Sequence, residues 1–303
     1  MEYTTLKVRP SKMNQWVDVY FIGCLHEGHA NHAEAEAKES VRVIRENIDK
    51  NPYTYVVLMG DMAEFIVSQG DPRWDPIGVA DKYGISDLKD LAGLQVENVA
   101  KLFEPVKNNV IAYIVGNHEE SYVKHHSSDV YKRLADHFPF CKRLGRVGWL
   151  SVFLENEGKD RGCEFFSFAL THGDSGTGKT IGNIYNKIYD LFAFKRADFC
   201  IGAHWHRMCA KDIVVELPSP QGRYIDYRKV WLGSCGCYLW KSKEGTRSYY
   251  EHKPGPESDV GMLKASFRIL KTNRMVGGKR NTVRLRETKL REIIFRRDQW
   301  QER

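Results

Sequence analysis

Five short motifs rich in histidine and carboxylate follow one another along this chain, and each comes after an apolar run typical of a strand. The ends of neighbouring strands meet at one edge of a sheet, so residues that are far apart in the sequence converge there. Imidazole, carboxylate and amide groups are common protein ligands of divalent metal ions. The order of the motifs therefore predicts a metal site at a sheet edge. The motifs are Cys24-Leu25-His26, Gly60-Asp61, Gly116-Asn117-His118-Glu119, His172-Gly173 and Gly202-Ala203-His204-Trp205-His206.

The composition indicates a globular protein of one large domain or two small ones. Of the 303 residues, 42% are hydrophobic and 12% are aromatic. The sequence contains no run of about 18 apolar residues, and residues 1–17 lack the apolar core of a signal peptide. Seven cysteines without a Cys-x-x-Cys pair argue against a disulfide framework and for a reducing compartment. We therefore expect a cytoplasmic protein that does not enter a membrane.

Apolar runs alternate with helical periodicity up to about residue 205, which predicts an α/β fold, and mainly strands are predicted beyond that point. We expect one domain over residues 1–275 and a charged, basic C-terminal tail over residues 276–303. The predicted strands are 17–23, 55–59, 110–115, 163–171, 199–201, 212–217, 224–232, 238–240 and 263–270, and the predicted helices are 33–48, 87–107, 128–137 and 181–194.

The residue types in the motifs suit a pair of divalent ions. Two ions about 3.5–4 Å apart activate a water molecule and stabilise the attacking and leaving oxygens of a displacement reaction. Such a pair needs a bridging carboxylate, for which Asp61 is the natural candidate. His204 and His206 flank Trp205, so in an extended segment their side chains point the same way. His26 offers a further imidazole, and Asn117 offers a neutral carbonyl oxygen.

This ordered set resembles the calcineurin-like metallophosphoesterase family, in its phage or bacterial type, over roughly residues 17–210. The family pattern is Asp-x-His, then Gly-Asp, then Gly-Asn-His followed by an acid, then a lone histidine, then two histidines separated by one residue. The resemblance implies a two-sheet β-sandwich flanked by helices, with four αββα layers and the metals at the strand ends. It also implies a two-metal-dependent phosphoesterase that acts through a metal-bound hydroxide.

The resemblance also implies roles for individual residues. His118 would stay off the metals and assist the leaving group, oriented by Glu119 or Asp61. Asp61 would act in catalysis as the bridging ligand. The first metal would be held by residue 24, His26, Asp61 and His206, and the second by Asp61, Asn117, His172 and His204.

One position departs from the family pattern, because Cys24 stands where the family has aspartate. A thiolate is a good ligand for Zn or Fe and a poor one for Mg or Mn. We therefore expect two divalent ions, Zn, Fe or Mn, with Zn or Fe favoured at the first site. The alternatives are that the first site is weak or empty, or that Cys24 is a small buried residue at a strand end.

A competing motif lies at residues 173–180, which match the P-loop pattern Gly-x-x-x-x-Gly-Lys-Thr. In that interpretation Lys179 binds nucleotide phosphates and Thr180 binds Mg. The mainly β segment downstream does not offer the α/β units that would complete such a domain. A glycine-rich loop whose amides or Lys179 contact substrate phosphate fits the sequence better.

The substrate is expected to be a phosphodiester of nucleic acid, DNA or RNA, or of a nucleotide. A formal net charge of +7 suits such a partner. The Gly/Pro/Asp-rich loop 68–84 contains Arg73 and Trp74, candidates for holding a phosphate and stacking on a base. The basic tail is expected to be a solvated helix face, with contact to a nucleic-acid backbone as the alternative. A non-catalytic binding protein on the same fold is the remaining hypothesis.

Overall fold

The computed structural model describes residues 2–12, 14–155, 163–174, 180–218, 225–242, 257–276 and 279–295. Among these residues the helices are α1 (Glu34–Lys50), α2 (Leu91–Phe103), α3 (Asn117–His126), α4 (Val130–Ala135) and α5 (Ile181–Lys195). The strands are β1 (Glu2–Val8), β2 (Val17–Ile22), β3 (Thr54–Leu58), β4 (Val110–Tyr113), β5 (Lys142–Arg143), β6 (Val147–Glu155), β7 (Cys163–Thr171), β8 (Phe199–Gly202), β9 (Cys209–Pro218), β10 (Ile225–Ser234), β11 (Gly261–Val276) and β12 (Lys279–Ile294).

The described strands form two mixed sheets of six strands each. One sheet has the order β1-β6-β7-β8-β10-β9, and the other has the order β12-β11-β2-β3-β4-β5. Strands β2, β3 and β4 run parallel, as do β7, β8 and β10. Because parallel strands end at the same edge of a sheet, the loops after β2, β3 and β4 emerge side by side.

The two sheets pack face to face, and helices cover their outer faces. The core between the sheets contains a group of phenylalanine rings, in which the Phe267 centroid lies 4.6 Å from Phe166 and 5.6 Å from Phe168. All six residues of β2 are buried because the strand is covered by the core on one face and by helices on the other. The predicted two-sheet αββα sandwich is therefore confirmed.

Helices α1, α2 and α4 cover the sheet that contains β2, and α5 covers the other sheet. Helix α1 buries Ala37, Val41 and Ile44, which recur at the spacing of one helix face. Glu34 and Glu36 stand in its first turn, where the helix dipole favours negative charge. None of the described helices is long and apolar enough to cross a membrane.

The predicted strand 238–240 is wrong. In this segment Leu239 makes an isolated bridge to His32, and Cys237 makes another to Val260. Tyr238 and Leu239 are buried in a loop beneath the motif residues, where Tyr238 N–H donates to the Cys24 carbonyl at 2.8 Å, and Trp240 is half-buried. An apolar run of three residues therefore reflects burial here and not pairing along a strand.

Besides β12, four elements among the described residues were not indicated by the sequence pattern, namely β1, β5, β6 and α3. Strand β1 lies at the edge of its sheet and exposes most of its residues, with only Val8 buried, so it lacks a clear apolar pattern. Helix α3 begins at Asn117 and carries only two buried residues, His118 and Glu119, which are polar. No apolar period therefore marks this helix, because its buried residues belong to the motif Gly116-Asn117-His118-Glu119.

The expectation that the charged C-terminal segment is a solvated helix face is wrong. The segment forms β12, which pairs antiparallel with β11 from Gly261↔Ile294 to Val276↔Lys279. Leu290 is buried against the core, whereas Lys289 and Arg291 on either side of it are not. This period of two is typical of a strand. The domain boundary at residue 275 falls at the end of β11 and stays a prediction.

Candidate metal centre

The motif residues lie at the carboxyl ends of five strands. Cys24 and His26 follow β2, and Asp61 follows β3. The other four donor residues also follow strands, with Asn117 after β4, His172 after β7, and His204 and His206 after β8. The sandwich brings these ends together, so side chains up to 180 residues apart in the sequence come into contact. The convergence that the sequence predicts is therefore present in the structure.

A first group of donor atoms consists of Cys24, His26 and His206. The Cys24 Sγ and one ring nitrogen from each histidine all lie within 4.8 Å of one another. Nε2 of His26 lies 3.2 Å from Nε2 of His206. All three residues are buried. Two ring nitrogens and a sulfur in a buried cluster form a donor set that suits Zn or Fe.

A second group of donor atoms surrounds Asp61. Its Oδ2 lies 2.9 Å from Nε2 of His172 and 4.0 Å from Nδ1 of His204. The Asn117 amide atom that faces them lies 3.0 Å from this carboxylate oxygen, 3.2 Å from His172 Nε2 and 2.9 Å from His204 Nδ1. Donor atoms held by one ion at about 2.0–2.2 Å lie roughly 3 Å apart, so these separations fit a shared ion.

The Asn117 amide tests whether this group suits a cation. With its nitrogen toward the cluster, the amide donates hydrogen bonds to His172, His204 and Asp61. With its oxygen toward the cluster, the amide adds a fourth acceptor atom to three others. A bound cation satisfies four converging acceptors at once, whereas a proton on His172 satisfies only its contact with Asp61. The donor set therefore fits a divalent ion when the amide oxygen is turned inward.

Hydrogen bonds outside the centre decide which ring nitrogens face inward. Nδ1 of His172 donates to the Met59 carbonyl at 2.7 Å, so its Nε2 faces Asp61. Nδ1 of His26 lies 2.9 Å from the Glu64 carboxylate, so its Nε2 faces His206. Metal-binding histidines are usually oriented in this way by a carbonyl or carboxylate on the other nitrogen.

The backbone of the centre adopts a conformation that side chains disfavour. Positive φ angles occur at Cys24 (50°), His26 (51°), Asp61 (52°), His204 (77°) and His206 (54°). Strain of this kind persists only where the surroundings enforce it, and it is concentrated at functional sites. The strand ends therefore turn sharply and present successive side chains to one point.

Two glycines allow the loops to approach each other. A Cβ atom on Gly116 would lie 2.2 Å from the backbone nitrogen and the Oδ1 atom of Asp61. A Cβ atom on Gly60, which has a φ of +88°, would lie 2.5 Å from Nδ1 of His172. Any side chain at these positions would push the motifs apart, which explains why glycine precedes both Asp61 and Asn117.

The Glu119 carboxylate hydrogen-bonds both to the loop after β3 and to the loop after β4. Its Oε2 accepts hydrogen bonds from the backbone N–H groups of Asp61 and Gly116, both at 3.0 Å. Its Oε1 accepts from Met62 N–H at 2.8 Å and from the Tyr113 hydroxyl at 2.6 Å. Burial and the nearby Asp61 carboxylate raise the pKa of Glu119.

The electrostatics of the centre favour a bound cation. Burial by itself raises the pKa of Asp61, but His172 and His118 outweigh it, so this pKa lies well below its usual range. Burial and the Asp61 carboxylate raise the pKa of the Cys24 thiol well above its ordinary value. A coordinating metal ion deprotonates a thiol, so Cys24 becomes a thiolate here only together with a cation. The sulfur already accepts a hydrogen bond from His204 N–H at 3.2 Å.

His118 lies beside the two donor groups, and the expectation about its partner is corrected. Its Nδ1 donates to the Glu64 carbonyl at 2.5 Å and lies 3.7 Å from the Glu64 carboxylate. Asp61 instead accepts the backbone N–H of His118 at 2.9 Å. Glu64 therefore orients the rings of both His26 and His118. For His26 the sequence signal that was missed is an acid three residues after Asp61, whereas the hydrogen bond of His118 is to a backbone carbonyl, which no residue type marks.

The predicted substrate-binding residues have different outcomes. Arg73 lies beside the centre, with Nη1 3.3 Å from the Asn117 amide. Asp71 holds its guanidinium through contacts of 2.7 and 3.0 Å and also accepts from Ser121. Trp74 is half-buried, and the structure places no ring contact or hydrogen bond of its side chain at the centre within the described ranges. Lys179 lies outside the described residues.

The calcineurin-like phosphoesterase family model matches residues 17–208, which is more than half of the chain and includes every donor side chain. No curated protein sequence matches this chain. Solved structures with a similar arrangement include the calcineurin-like phosphoesterase YfkN from Bacillus subtilis, with 11% identity, a TM-score of 0.37, and coverage of 92% of this chain and 91% of that one. A predicted phosphoesterase from Streptococcus pneumoniae TIGR4 has 9% identity, a TM-score of 0.32, and coverage of 90% and 98%.

Replacing Glu119 tests whether its carboxylate positions the two metal loops. In Glu119→Gln an NH₂ group faces backbone donors, so we expect a loss of about 1–3 kcal/mol in the free energy of unfolding. The affinity for metal ions should fall by about 10–100-fold, as when an outer partner of a ligand is lost. Denaturant unfolding and metal titration measure the two effects.

The matched control is Glu120→Gln, the neighbouring residue on the exposed face of α3, whose partner is Arg146 at 3.6 Å. This variant should stay within about 0.5 kcal/mol of the wild type because exposed ion pairs contribute little. Equal effects in the two variants would contradict a positioning role for Glu119.

Proposed function

Because the chain belongs to the calcineurin-like phosphoesterase family of metal-dependent hydrolases, we propose that it is a two-metal phosphodiesterase or nuclease that cleaves nucleic acid or nucleotides. The observation that carries this proposal is the convergence of seven donor side chains, one of which is the buried Asp61 carboxylate that the other six surround. These side chains are Cys24, His26, Asp61, Asn117, His172, His204 and His206.

The two donor groups divide the ligands between two ions that share Asp61. When bound, the ions activate a water molecule and neutralise charge on the phosphoryl group. The first position combines Cys24, His26 and His206 with the shared carboxylate, and the thiolate favours Zn or Fe there. The second position combines Asn117, His172 and His204 with Asp61 and accepts Zn, Fe or Mn.

Arg73 is placed to hold a non-bridging oxygen of the phosphate. Its guanidinium lies beside Asn117, and Asp71 binds two of its nitrogens, so its direction is fixed before substrate arrives. A guanidinium matches phosphate oxygens in geometry as well as in charge. Arg73 thereby contributes both orientation of the substrate and stabilisation of the developing charge.

His118 is placed to transfer a proton to the leaving oxygen. Its Nδ1–H is held by Glu64, so Nε2 is the ring nitrogen that remains for contact with the substrate. Proton transfer by a positioned histidine contributes typically about 10²–10⁴-fold to a rate. The buried position of His118 keeps bulk water from competing for that proton.

The preference for a diester of nucleic acid or of a nucleotide is supported by charge. The chain has a formal net charge of +7, which favours association with polyanions such as DNA and RNA. A location in the cytoplasm is part of the same proposal and is supported by the seven cysteines, which show no disulfide spacing.

The P-loop nucleotide-binding hypothesis and the hypothesis of a non-catalytic binding protein have less support. Residues 175–179 of the P-loop pattern lie outside the described residues, and the family match spans the whole pattern. Thr180 is the N-cap of α5, where its side chain accepts from Asn183 N–H. A decayed, non-catalytic centre would not be expected to keep all seven donor side chains together.

The decisive experiment for this proposal compares wild type with Asp61→Asn in metal content and in hydrolysis of bis-p-nitrophenyl phosphate. Removing the shared carboxylate should lower metal content from about two ions per chain to one or fewer. Activity should fall by at least about 10²–10³-fold because the charge that holds both ions is lost. Elemental analysis and a colorimetric assay supply the readouts.

Asp136→Asn is the control, since this aspartate lies on the exposed surface in an ion pair with Lys132. It should keep the metal content and activity of the wild type. Absence of turnover in wild type after loading with Zn, Fe or Mn would refute the enzyme proposal. Faster hydrolysis of p-nitrophenyl phosphate than of the diester would refute the preference for diesters.

Cobalt substitution tests ligation by Cys24 without reference to activity. Wild type loaded with Co²⁺ should show a near-ultraviolet thiolate-to-cobalt charge-transfer band, because a coordinated sulfur is deprotonated. Cys24→Ser should lack the band, and Cys24→Asp should lose it while keeping two ions and shifting preference toward Mn. Cys141→Ser, a half-buried cysteine outside the centre, should keep the band. A band that survives in Cys24→Ser would rule out this ligand.

Arg73→Ala should reduce kcat/KM for the diester by about 10²-fold, the typical effect of removing one charge-stabilising group. Metal content should be unchanged because Arg73 contributes no donor atom. Arg73→Lys should recover only part of the loss, since an ammonium cannot make the paired contacts with Asp71. Arg133→Ala, an exposed arginine on α4, serves as the control. Unchanged kinetics in Arg73→Ala would remove this residue from the site.

A further inference from the structure

Strand β1 forms an open edge of the sheet β1-β6-β7-β8-β10-β9. Its residues pair in parallel with β6 from Glu2↔Gly148 to Val8↔Leu154, without a shift in register. On the other side of β1, no strand of the described residues pairs with it. Within the described ranges, the backbone of β1 makes no hydrogen bond besides those to β6. A row of N–H and C=O groups is therefore available to a further strand.

The features that usually protect an edge strand are weak in β1. The strand is seven residues long and contains neither a proline nor a bulge. Lys7 is its one lysine, and it shares the outer face with Thr5 and with Tyr3, which is 75% exposed. Leu6 and Val8 point the other way and pack against the core between the sheets. An edge that is long, regular and uncovered favours pairing with another chain.

The surface next to β1 also suits a protein partner. Strand β5, the edge strand of the other sheet, lies on the same side of the sandwich, because both strands line one groove of about 880 Å³. Tyr131 and the buried Phe138 form part of the lining of this groove. Phe140, two residues before β5, is 62% exposed. Exposed aromatic side chains beside an open edge are typical of protein–protein interfaces.

The sequence of β1 complements itself in the antiparallel direction. When two copies pair over the full strand, the twofold axis passes through Thr5, the central residue. Tyr3 then faces Lys7 of the second copy, Thr4 faces Leu6, and Thr5 faces Thr5. Threonine pairs stabilise neighbouring strands, and a tyrosine ring attracts a lysine ammonium group. Lys7, which would repel many partners, therefore has a favourable position in this pair.

Charge favours the antiparallel pair over a parallel one. The strand begins with Glu2 and ends near Lys7 and Arg9, so its start is acidic and its end is basic. In the antiparallel pair the acidic start of each strand lies against the basic end of the other. A parallel pair would place Lys7 opposite Lys7, which is unfavourable. Lys7 and Arg9 also contact Glu155 of their own chain, but both are exposed, so these ion pairs contribute little.

We propose that two copies of this chain associate through β1 as a twofold dimer, in which the two six-stranded sheets join into one continuous sheet. Each copy covers the open edge of the other, and backbone groups that face water in the single chain become paired. The seven donor side chains of the metal centre follow other strands. The dimer is therefore independent of the proposed phosphoesterase reaction.

The position of Thr5 on the twofold axis allows a test by charge. Sedimentation equilibrium of the wild type should give twice the chain mass of 35.0 kDa, with dissociation on dilution. Thr5→Glu and Thr5→Lys each place two like charges opposite each other, so each should raise the Kd of the dimer by about tenfold or more. An equal mixture of the two variants should recover the dimer, because glutamate then faces lysine. Thr5 is exposed, so neither change should disturb folding.

Val214→Glu is the matched control, because this residue is 63% exposed on β9, the opposite edge of the same sheet. It should change the Kd of the dimer by less than about twofold. A wild type that keeps the mass of one chain at every concentration would overturn the proposal and leave the edge to a different partner. Equal weakening by Val214→Glu would overturn it by placing the contact away from β1. A mixture of the two Thr5 variants that stays monomeric would exclude the antiparallel pair centred on Thr5.

Discussion

Burial of the Asp61 carboxylate is the constraint on which the rest of the site depends. A buried charge is costly unless cations and hydrogen-bond donors surround it. The fold supplies His172 at 2.9 Å, the His118 N–H at 2.9 Å and a ring of ligand atoms that suits divalent ions. Glu119 lies directly behind and is itself satisfied by four donors. Two adjacent buried acids are tolerated because each has its own partners.

The two-sheet sandwich holds the residues around Asp61 in place. Parallel strands deliver the motif loops to one edge, and the phenylalanine core between the sheets keeps the strand ends in register. Positive φ angles at five ligand positions cost free energy that the packing of the sheets offsets. Functional sites are held most firmly by rigid strands and helices, and here the strained turns follow directly after such strands.

Cys24 departs from the family pattern, and Arg73 lies outside the motifs that carry the donor side chains. Cys24 stands where the family pattern has aspartate, and burial raises the pKa of its thiol, so a thiolate at this position would form only together with a bound cation. Arg73 comes from the long loop 68–84, and Asp71 fixes its guanidinium beside Asn117 through a contact of 2.7 Å.

The sequence by itself determined the α/β class and the set of residues that converge, and its resemblance to the family implied the two-sheet architecture. The class and the converging set depend on period and spacing, which are local properties of the chain. Only the tertiary structure decided that Glu64 orients His118, that residues 238–240 form a buried loop, and that the charged C-terminal segment becomes β12. Each depends on a neighbour distant in sequence, because orientation, pairing and burial arise from contacts and not from local pattern.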